Sequence, residues 1–487
     1  MEKGPFLRLR IGWDSKGAMN LKLSRLLHAA GLTCTEEGEI TAIACHSDDV
    51  VPGALFVALE GARSDGRRYV SDAVKCGAAA VLCSGGVETS VPVLETEQPR
   101  RVLGLIAAEF YGHPAEGMTT VAVTGTKGKT TTAHMLREIL MAAGYRTGMM
   151  GTLGAFVDRE QIAPGVNTTP EPVTLHRLLR QMADMGCTHV VMEVSSQAMK
   201  LHRLEGVRFD VGIFLNLSPD HIGPGEHDNF EEYRDCKAAL FGQCRRVVGN
   251  AADPAWQFMA AHIPAGIPVH TFGQEQISAG EGLTTVLELP GRIPYGIPLP
   301  GRFNGQNGAA AVTAAELLGI SDGAIRQGLT NTAVPGRCMV YPAEVPYSVI
   351  IDYAHNGASF AALFRALRQQ DPKRIIAVFG AGGDRPPMRR TEMARAAAEG
   401  ADFAVITADN PRSEPVEAIC AQISAAMPDL PHVIVPDREE AIFRALGMAG
   451  AGDIVALLGK GHEEYIETNG VRRHFSEREI LDEYFKR

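Results

Sequence analysis

The sequence predicts an α/β protein of three domains, in which a small N-terminal α/β unit precedes two larger units built on mostly parallel sheets. Three observations lead to this prediction. The chain has 487 residues, and domains average about 150 residues. Short apolar runs with strand character alternate with segments of helical periodicity, which is typical of parallel sheets covered by helices. Many of these runs end in polar or glycine-rich turns, where such sheets bind ligands.

The first domain is predicted over residues 1–117. The segments ALFVALEG (54–61) and AAAVLCSG (78–85) have the apolar content of strands, and a helical segment lies between them at 70–76. The stretch HPAEGM (113–118) contains proline and glycine, which mark a break in regular structure. These features indicate a small α/β unit that ends just before a glycine-rich turn.

The central domain, predicted over 118–335, repeats the strand and helix signals. Buried strands are expected within THVVMEVSS (188–196) and FDVGIFLNLS (209–218). Amphipathic helices are expected within KTTTAHMLREILMAAG (129–144), where Gly144 would end the helix, and VTLHRLLRQMADMG (173–186). The alternation predicts a doubly wound, mostly parallel sheet around a P-loop.

The third domain, predicted over 336–487, follows the break VPGR and is expected to be Rossmann-like. Its predicted strands end in polar, glycine-rich turns, and helical segments lie between them. The strands fall within VIIDYAH (349–355), RIIAVFGAGGD (374–384), ADFAVITADN (401–410) and DIVALLGKG (453–461).

Composition limits the cellular setting. The formal net charge is -10 and is spread along the chain, which argues against a general nucleic-acid binder. The nine cysteines form no C-x-x-C pair and are expected to be reduced thiols. The N-terminus lacks the apolar core of a signal peptide, and no apolar run approaches the ~18 residues of a membrane span. We expect a soluble, cytoplasmic monomer that acts on small molecules, without membrane insertion.

The stretch VAVTGTKGKTTTAHML (121–136) predicts a phosphate-binding turn between a strand and a helix. Its glycines allow backbone N–H groups to converge on phosphate oxygens at the positive end of the helix. Lys129 can reach the terminal phosphates of a nucleotide, and Thr130 can hold Mg²⁺. The turn is shorter than the general P-loop, whose first glycine would fall at Val123. The predicted ATP contacts here are Gly125, Thr126, Lys127, Gly128, Lys129, Thr130 and Thr131.

A G-K-T turn alone does not separate kinases, GTPases, motors and ligases, although the lack of an N-K-x-D motif weakens the GTPase reading. The full turn, T-G-T-K-G-K-T-T, resembles the signature of the Mur ligases and their folylpolyglutamate synthetase relatives. This resemblance implies an enzyme that couples ATP to amide-bond formation by activating a carboxylate as an acyl phosphate.

The resemblance continues into the segments that carry metal ligands. MEVSSQAMKLHR (192–203) places Glu193 at a strand end, and NLSPDHIGPGEHDNFEEYRDCKAALF (216–241) is similar to the family segment with a metal-linked histidine and a carbamylated lysine. Carbamylation turns an amine into a carboxylate that can hold a second Mg²⁺. The resemblance implies Lys129, Glu193, His221 and Lys237 as catalytic residues, and Thr130, Glu193, His221 and carbamylated Lys237 as metal ligands.

Two further stretches resemble the UDP-sugar and dipeptide contacts of the Mur ligases that add the third peptide residue. They are ACHSDDVVPGALFVALEGARSDGRRYV (44–70) and VNTTPEP (166–172). This chain has H-S-D at 46–48 where the family usually has D-S-R, and Leu201 where many relatives have glutamine. The implied contacts are Ser47, Arg63, Ser64, Asn167, Thr168, Thr169, Ser195 and Arg203.

Three later stretches are similar to the family's nucleotide contacts. GRFNGQNGAAA (301–311) resembles the adenine-contacting segment that leads into a helix, PGR (335–337) supplies an arginine for phosphate, and DYAHN (352–356) resembles the segment that touches ribose and phosphate. The implied ATP contacts are Asn304, Asn307, Arg337 and Asp352.

The segments ADNPRSE (408–414) and LLGKGHEEY (457–465) resemble those of ligases that accept meso-diaminopimelate. This amino acid differs from lysine by a second carboxylate, for which Arg412 offers a planar bidentate donor, and Glu463 can accept from its ammonium. DRPPMRR (384–390) departs from the usual D-R-D-x-x-K-R, so lysine or another diamino acid stays open. The implied amino-acid contacts are Arg385, Asp409, Asn410, Pro411, Arg412, Gly459 and Glu463.

Taken in family order along the chain, these resemblances imply ATP- and Mg²⁺-dependent addition of meso-diaminopimelate to UDP-N-acetylmuramoyl-L-alanyl-D-glutamate. A folylpolyglutamate-type ligase is an alternative with the same fold, but it lacks the N-terminal UDP-sugar unit. A regulatory ATPase that binds nucleotide without ligation is an alternative from another class. Phosphate release that requires both other substrates would separate a ligase from it.

Overall fold

The structure is a computed structural model that describes residues 20–33, 38–61, 64–223 and 225–486. Within these residues the chain forms three α/β units in sequence order, each with its own main sheet. None of the helices in these ranges is long and apolar enough to cross a bilayer.

The N-terminal unit is built on a four-stranded parallel sheet of order β3-β4-β5-β6, beside a short antiparallel pair of β1 and β2. Alternate residues of β4 face opposite sides: Leu55 and Val57 pack into one apolar cluster, and Phe56 into the other. The elements are β1 Leu21–Lys22, α1 Leu23–Ala29, β2 Glu39–Ile40, β3 Ala42–Ala44, β4 Ala54–Val57, α2 Val70–Lys75, β5 Ala80–Cys83, β6 Val93–Glu95 and α3 Pro99–Phe110.

The central unit contains a mixed sheet of order β10-β9-β8-β11-β7-β12-β13-β14, parallel from β8 to β14 and antiparallel at the β8-β9-β10 edge. A smaller antiparallel sheet, β15-β16-β17, accompanies it. The strands are β7 Thr119–Thr124, β8 Thr147–Gly151, β9 Gly154–Val157, β10 Glu160–Pro164, β11 His189–Glu193, β12 Val211–Phe214, β13 Val247–Asn250, β14 Val269–Phe272, β15 Gln276–Ala279, β16 Thr285–Glu288 and β17 Tyr295–Ile297.

The helices of the central unit agree with the periodicity of the sequence. Gly144 follows the first of them with φ of 87°, which suits the residue that ends a helix. The expectation that Asn304 and Asn307 lead into a helix needs a small correction, because that helix already begins at Arg302 and includes both. The helices are α4 Lys129–Ala142, α5 Pro172–Asp184, α6 Ser196–Lys200, α7 Phe230–Ala239, α8 Trp256–Ala261, α9 Arg302–Leu317 and α10 Asp322–Thr330.

The C-terminal unit has a sheet of order β18-β19-β23-β20-β21-β22, parallel except at the β18 edge. A β24-β25 hairpin follows it. The elements are β18 Met339–Tyr341, β19 Ser348–Asp352, α11 Gly357–Arg368, β20 Ile375–Phe379, α12 Met388–Gly400, β21 Phe403–Ile406, α13 Val416–Ala425, β22 His432–Ile434, α14 Arg438–Met448, β23 Ile454–Leu458, β24 Tyr465–Thr468, β25 Val471–His474 and α15 Glu477–Lys486.

One apolar cluster joins the two larger units: it includes Val121 and Leu299 of the central unit and Phe360 and Phe379 of the C-terminal unit. The contact is close enough to require a glycine: a Cβ added at Gly301 would lie 2.8 Å from the Cβ of Ala366 on α11. The shared cluster brings the carboxyl end of the central sheet next to the C-terminal unit.

The contact between α10 and α4 gives a test of this packing. A Cβ at Gly328 on α10 would lie 2.3 Å from the Cα of Ile139 on α4, so Gly328→Ala forces the helices apart. Overpacking of this kind costs about 1–3 kcal/mol. We expect the urea midpoint of unfolding to fall.

Gly323→Ala is the matched control on the same helix, because nothing lies within 4 Å of its Cβ position. The replacement of glycine by alanine in a helix favours folding by up to about 1 kcal/mol. Equal urea midpoints for the two variants would show that the α4–α10 packing is described wrongly.

Candidate functional site

The phosphate turn lies between the end of β7 at Thr124 and the start of α4 at Lys129. Gly125 and Gly128 have φ of 156° and 88°, and Gly128 also lies close to α9, since a Cβ there would be 2.2 Å from Asn307 Oδ1. Positive φ and this close approach both favour glycine. The sequence therefore folds here into a tight turn whose backbone faces a cleft.

Lys129 folds back over this turn. Its Nζ donates to the carbonyl oxygens of Gly125 at 2.8 Å and Thr126 at 3.3 Å. Burial lowers the pKa of Lys129 to about 8. The amine is thus held by weak neutral acceptors, which a phosphate oxygen can replace.

Glu193 ends β11 beside the turn and is 2% exposed. Its Oε2 accepts from Thr130 Oγ1 at 2.9 Å, and its Oε1 accepts from the Thr152 N–H at 3.0 Å. Burial raises the pKa of this carboxyl group. A buried carboxylate that needs a positive partner, next to a hydroxyl, is a donor set suited to Mg²⁺.

Lys237 lies on α7 behind the turn and is 2% exposed. Its Nζ donates to Gly125 O at 3.0 Å and lies 4.7 Å from the centre of the Tyr233 ring. Burial, together with the positive charge of Lys129, lowers the pKa of Lys237 well below its usual value. The lowered pKa favours the neutral amine, which is the form that can react with CO₂.

The two histidines of the loop before α7 have different surroundings. His221 lines the cleft with a side chain that is 56% exposed, and its Nδ1 lies 3.1 Å from Glu226 Oε1. His227, to which the sequence assigned no role, is buried against Ser196, with Nε2 2.9 Å from Oγ. Among the described residues, no three His, Cys, Asp or Glu side chains form a metal-binding cluster.

The predicted nucleotide contacts share one cleft of about 600 Å³ with the phosphate turn and Glu193. Asp352 accepts from the N–H groups of Cys338 and Ala354, both at 2.7 Å, so its carboxylate shapes the cleft wall. The cleft also contains Asn304, Asn307 and Arg337, whose guanidinium lies 4.5 Å from the centre of the Tyr353 ring.

The residues predicted to contact the dipeptide fall into two groups, one at the cleft and one engaged in contacts within the protein. Thr168 lines the cleft and Asn167 is exposed beside it. In contrast, Thr169 is buried and donates to Glu193 O at 2.9 Å, and Ser195 caps α6 through the Ala198 N–H at 3.1 Å.

Arg203, also predicted to contact the dipeptide, is 8% exposed. It donates to Thr169 O at 3.0 Å and pairs with Glu171 at 2.5 Å. In this structure Thr169, Ser195 and Arg203 therefore hold the loop that presents Asn167 and Thr168.

The predicted uridine contacts lie in the N-terminal unit. Ser47 begins a short 3₁₀ helix, and Ser64 is exposed, with its Oγ 3.1 Å from Tyr69 Oη. Neither of these two described residues lines the nucleotide cleft. Arg63 lies outside the described residues.

The predicted amino-acid contacts surround a second pocket, of about 120 Å³, in the C-terminal unit. Arg412 has φ of 52°, and its Nη1 donates to Gly383 O at 2.6 Å. Pro411 is buried and does not line the pocket itself. The predicted residues that line this pocket are Arg385, Asp409, Asn410, Arg412, Gly459 and Glu463.

Lys460 organises this pocket and was missed from the sequence, although it stands in the quoted G-K-G-H segment. It is fully buried, and its Nζ donates to Asn410 Oδ1 at 3.0 Å and Glu463 Oε2 at 2.9 Å. Burial opposes ionisation of Glu463, but Lys460 outweighs it and lowers the pKa of this carboxyl group. Glu463 is therefore a charged acceptor suited to an ammonium group.

A phosphate turn, a buried carboxylate at a neighbouring strand end and a second Rossmann-like unit with its own pocket define a nucleotide-dependent transferase or ligase. Three matches narrow this class: residues 39–111 match "Mur ligase family, catalytic domain", residues 123–315 "Mur ligase middle domain", and residues 336–461 "Mur ligase, glutamate ligase domain". The chain belongs to the Mur ligase family.

Similar proteins cover nearly the whole chain. A relative from Chlorobaculum tepidum is 37% identical over 96% of this chain and 98% of its own length. A relative from Clostridium perfringens is 33% identical over 92% of this chain and 95% of its own length. Both are named UDP-N-acetylmuramoyl-L-alanyl-D-glutamate--2,6-diaminopimelate ligase. A solved ligase of the same name is 27% identical with a TM-score of 0.70 and covers 96% of this chain and 99% of its own.

More distant structures share the fold. MurF ligase from Thermotoga maritima, solved with ADP, is 19% identical with a TM-score of 0.60, over 91% of this chain and 97% of its own. Folylpolyglutamate synthase from Mycobacterium tuberculosis, solved with ADP and AMPPCP, is also 19% identical, with a TM-score of 0.59. The match spans 92% of the length of that synthase but 74% of this chain.

Gly151 offers a test of how Glu193 is positioned. A Cβ at Gly151 would lie 2.0 Å from Glu193 Oε1, so Gly151→Ala displaces the carboxylate. Displacing a group that orients or forms a metal site costs about 10–100-fold in affinity. We expect calorimetry to show this loss for ATP binding in the presence of Mg²⁺.

The control is Gly242→Ala, whose Cβ meets nothing within 4 Å. Both variants should first be shown to be folded by circular dichroism. Wild-type affinity in the Gly151→Ala protein would contradict the placement of Glu193.

Proposed function

We propose that the chain is a cytoplasmic, ATP-dependent ligase that adds meso-2,6-diaminopimelate to UDP-N-acetylmuramoyl-L-alanyl-D-glutamate in peptidoglycan precursor synthesis. The observation that carries the proposal is a common wall, Tyr353 and His355, between the nucleotide cleft and the pocket of Arg412 and Glu463. Activated acid and incoming amine would meet across this wall. The names of the relatives, at 33–37% identity, support the substrate pair.

In the first step, the side-chain carboxylate of the D-glutamyl residue attacks the γ-phosphorus of ATP. The bond from this phosphorus to the β-phosphate oxygen breaks, so ADP leaves and an acyl phosphate forms. The turn N–H groups and Lys129 screen the phosphate charges, which is the main contribution of protein groups to phosphoryl transfer. The loop of Asn167 and Thr168, fixed by Arg203, would orient the dipeptide.

The residues around the turn also fit Mg²⁺. Glu193 and Thr130 would hold it, with Lys237 as a further ligand once its amine is carbamylated and His221 at the cleft edge. When bound, the metal supplies positive charge that stabilises phosphate oxygens. The raised pKa of Glu193 is consistent with a carboxylate that lacks a positive partner, and the lowered pKa of Lys237 favours the neutral amine that carbamylation requires.

In the second step, the amine of the diamino acid attacks the acyl carbon. The bond from that carbon to the phosphate oxygen breaks, inorganic phosphate leaves, and the nitrogen loses its proton to give the amide. Glu463 and Asn410 would accept from an ammonium group of the diamino acid. Arg412 and Arg385 would pair with the carboxylates, since the guanidinium fork matches that group.

The N-terminal unit favours this function over folylpolyglutamate synthesis. Residues 39–111 match a Mur ligase family description, whereas the solved folylpolyglutamate synthase covers only 74% of this chain. We infer domain boundaries near residues 117 and 335, so that the first domain binds the UDP-sugar through Ser47 and Ser64 and each domain brings one substrate.

A product assay tests the proposal directly. Purified protein receives ATP, Mg²⁺, the UDP-dipeptide and one amino acid from a panel that includes meso-diaminopimelate and L-lysine, and mass spectrometry identifies the products. We expect a UDP-tripeptide with diaminopimelate and little with lysine, because lysine leaves the half-buried guanidinium of Arg412 without its carboxylate. Equal use of both amino acids would contradict the assignment of Arg412.

Phosphate release in the same assay separates ligation from regulatory ATP hydrolysis. A ligase releases phosphate at a significant rate only when UDP-dipeptide and amino acid are both present. Release that is indifferent to them would overturn the proposed function.

The role of Lys237 has its own test. Lys237→Ala should lower kcat by about 10²–10³-fold, the usual cost of one lost electrostatic group. Added acetate should restore part of the activity, because it can stand in for the carbamate. Lys75→Ala, at a side chain that is 72% exposed, is the control and should behave as wild type. If no small carboxylate restores activity, the metal-bridging role is wrong.

A further inference from the structure

The wall between the two pockets also contains arginines. Four residues line both the nucleotide cleft and the amino-acid pocket, and they are Tyr353, His355, Arg385 and Arg389. The sequence assigned a ligand to Arg385 but none to Arg389, which stands at the second-last position of the DRPPMRR segment. Arg389 therefore lies where the chemistry of the two pockets meets.

Arg389 differs sharply from its neighbour in the chain. Arg390 is buried, and its guanidinium donates to Gln422 Oε1 and Glu414 Oε1, both at 2.7 Å. Among the residues that the structure describes, no hydrogen bond or ion pair involves the side chain of Arg389, although it is half-buried. A half-buried guanidinium without an acceptor is expected where a ligand supplies the negative charge.

Two of the carboxylates that line these pockets are already engaged. Asp352 accepts two backbone N–H groups, and Glu463 accepts from Lys460 and Asn410. They are thus poorly placed to neutralise Arg389 as well. An anionic group that enters the site could therefore pair with the guanidinium of Arg389.

The pKa of His355 responds to the positive charges around this wall. Burial lowers the pKa of its imidazole, and the positive charges of Lys127, Arg337 and Arg389 lower it further. These three cations, from the phosphate turn, from the link between the units and from α12, therefore act on the same place. Such convergence suits a group with more than one negative charge.

We propose that Arg389 is a further catalytic residue, which contacts the phosphoryl group while it is attached to the substrate acid and when it leaves as inorganic phosphate. This inference rests on the proposed function. Arg389 lies in the first turn of α12, whereas Arg385 lies in the exposed loop before it, so Arg389 is on the more rigid element. Rigid donors aimed at developing charge favour the transition state over the ground state.

Hydroxylamine trapping distinguishes this role from amino-acid binding. Hydroxylamine converts an acyl phosphate into a hydroxamate, so in the absence of any amino acid the rate reports the first step alone. We expect Arg389→Gln to lower hydroxamate formation and kcat together, by about 10–100-fold, with little change in the KM for diaminopimelate. Arg389→Lys should retain part of the rate because it keeps the charge.

Two matched variants complete the test. Arg385→Gln should instead raise the KM for diaminopimelate, because Arg385 is proposed to pair with a carboxylate of that amino acid. Arg395→Gln, at an exposed arginine farther along α12 and outside both pockets, should match wild type.

The inference is overturned if Arg389→Gln forms hydroxamate at the wild-type rate, or if it changes only the KM for the amino acid. Wild-type protein that forms neither hydroxamate nor tripeptide would instead overturn the proposed function, so the two failures can be told apart.

Discussion

Two lysine amines converge on one backbone carbonyl, and the rest of the site depends on this arrangement. Lys129 from α4 and Lys237 from α7 both donate to Gly125 O, at 2.8 and 3.0 Å. Burial lowers the pKa of both amines, and the positive charge of Lys129 lowers that of Lys237 further. The turn is therefore poised to gain stability from phosphate oxygens, metal-bound carboxylates or a carbamate.

Close backbone packing fixes how the two larger units are arranged. The strand ends of the central sheet face the C-terminal unit, and the joining segment is packed tightly, since a Cβ at Gly336 would lie 2.2 Å from the His462 N–H nitrogen. Gly461 has φ of 54° and also has no room for a side chain. This packing sets the G-K-G-H segment of the amino-acid pocket directly beside Arg337 and Tyr353 of the nucleotide cleft.

Much of the fold could be predicted from local pattern. Each quoted strand and helix is present, because parallel strands buried on both faces are continuous apolar runs and their helices keep a 3.6-residue period. The position of Glu193 at a strand end followed from the same pattern. The start of α9 was misplaced by a few residues, since Gly301, Asn304 and Gly305 resemble a loop until the cleft behind them is known.

The hydrogen-bond and ion-pair partners of the side chains could not be predicted from neighbouring residues in the sequence. Thr169 and Ser195, predicted as substrate contacts, bond to the backbone of Glu193 and Ala198. Arg203, predicted likewise, donates to Thr169 O and pairs with Glu171, which lies 32 residues before it. Lys460 looked like part of a glycine-rich turn, yet it is the buried cation that holds Asn410 and Glu463. Contacts between distant segments decide whether a polar side chain is already satisfied.

By itself the sequence determined the α/β class, the strand–turn–helix that grips phosphate and the presence of carboxylates and lysines around it, because those features depend on residues close together in the chain. Only the tertiary structure decided which charges remain unpaired. Long-range hydrogen bonds give Arg390 and Lys460 acceptors within the protein but leave Arg389 facing two pockets. An unpaired guanidinium at this position arises only when the units pack against each other.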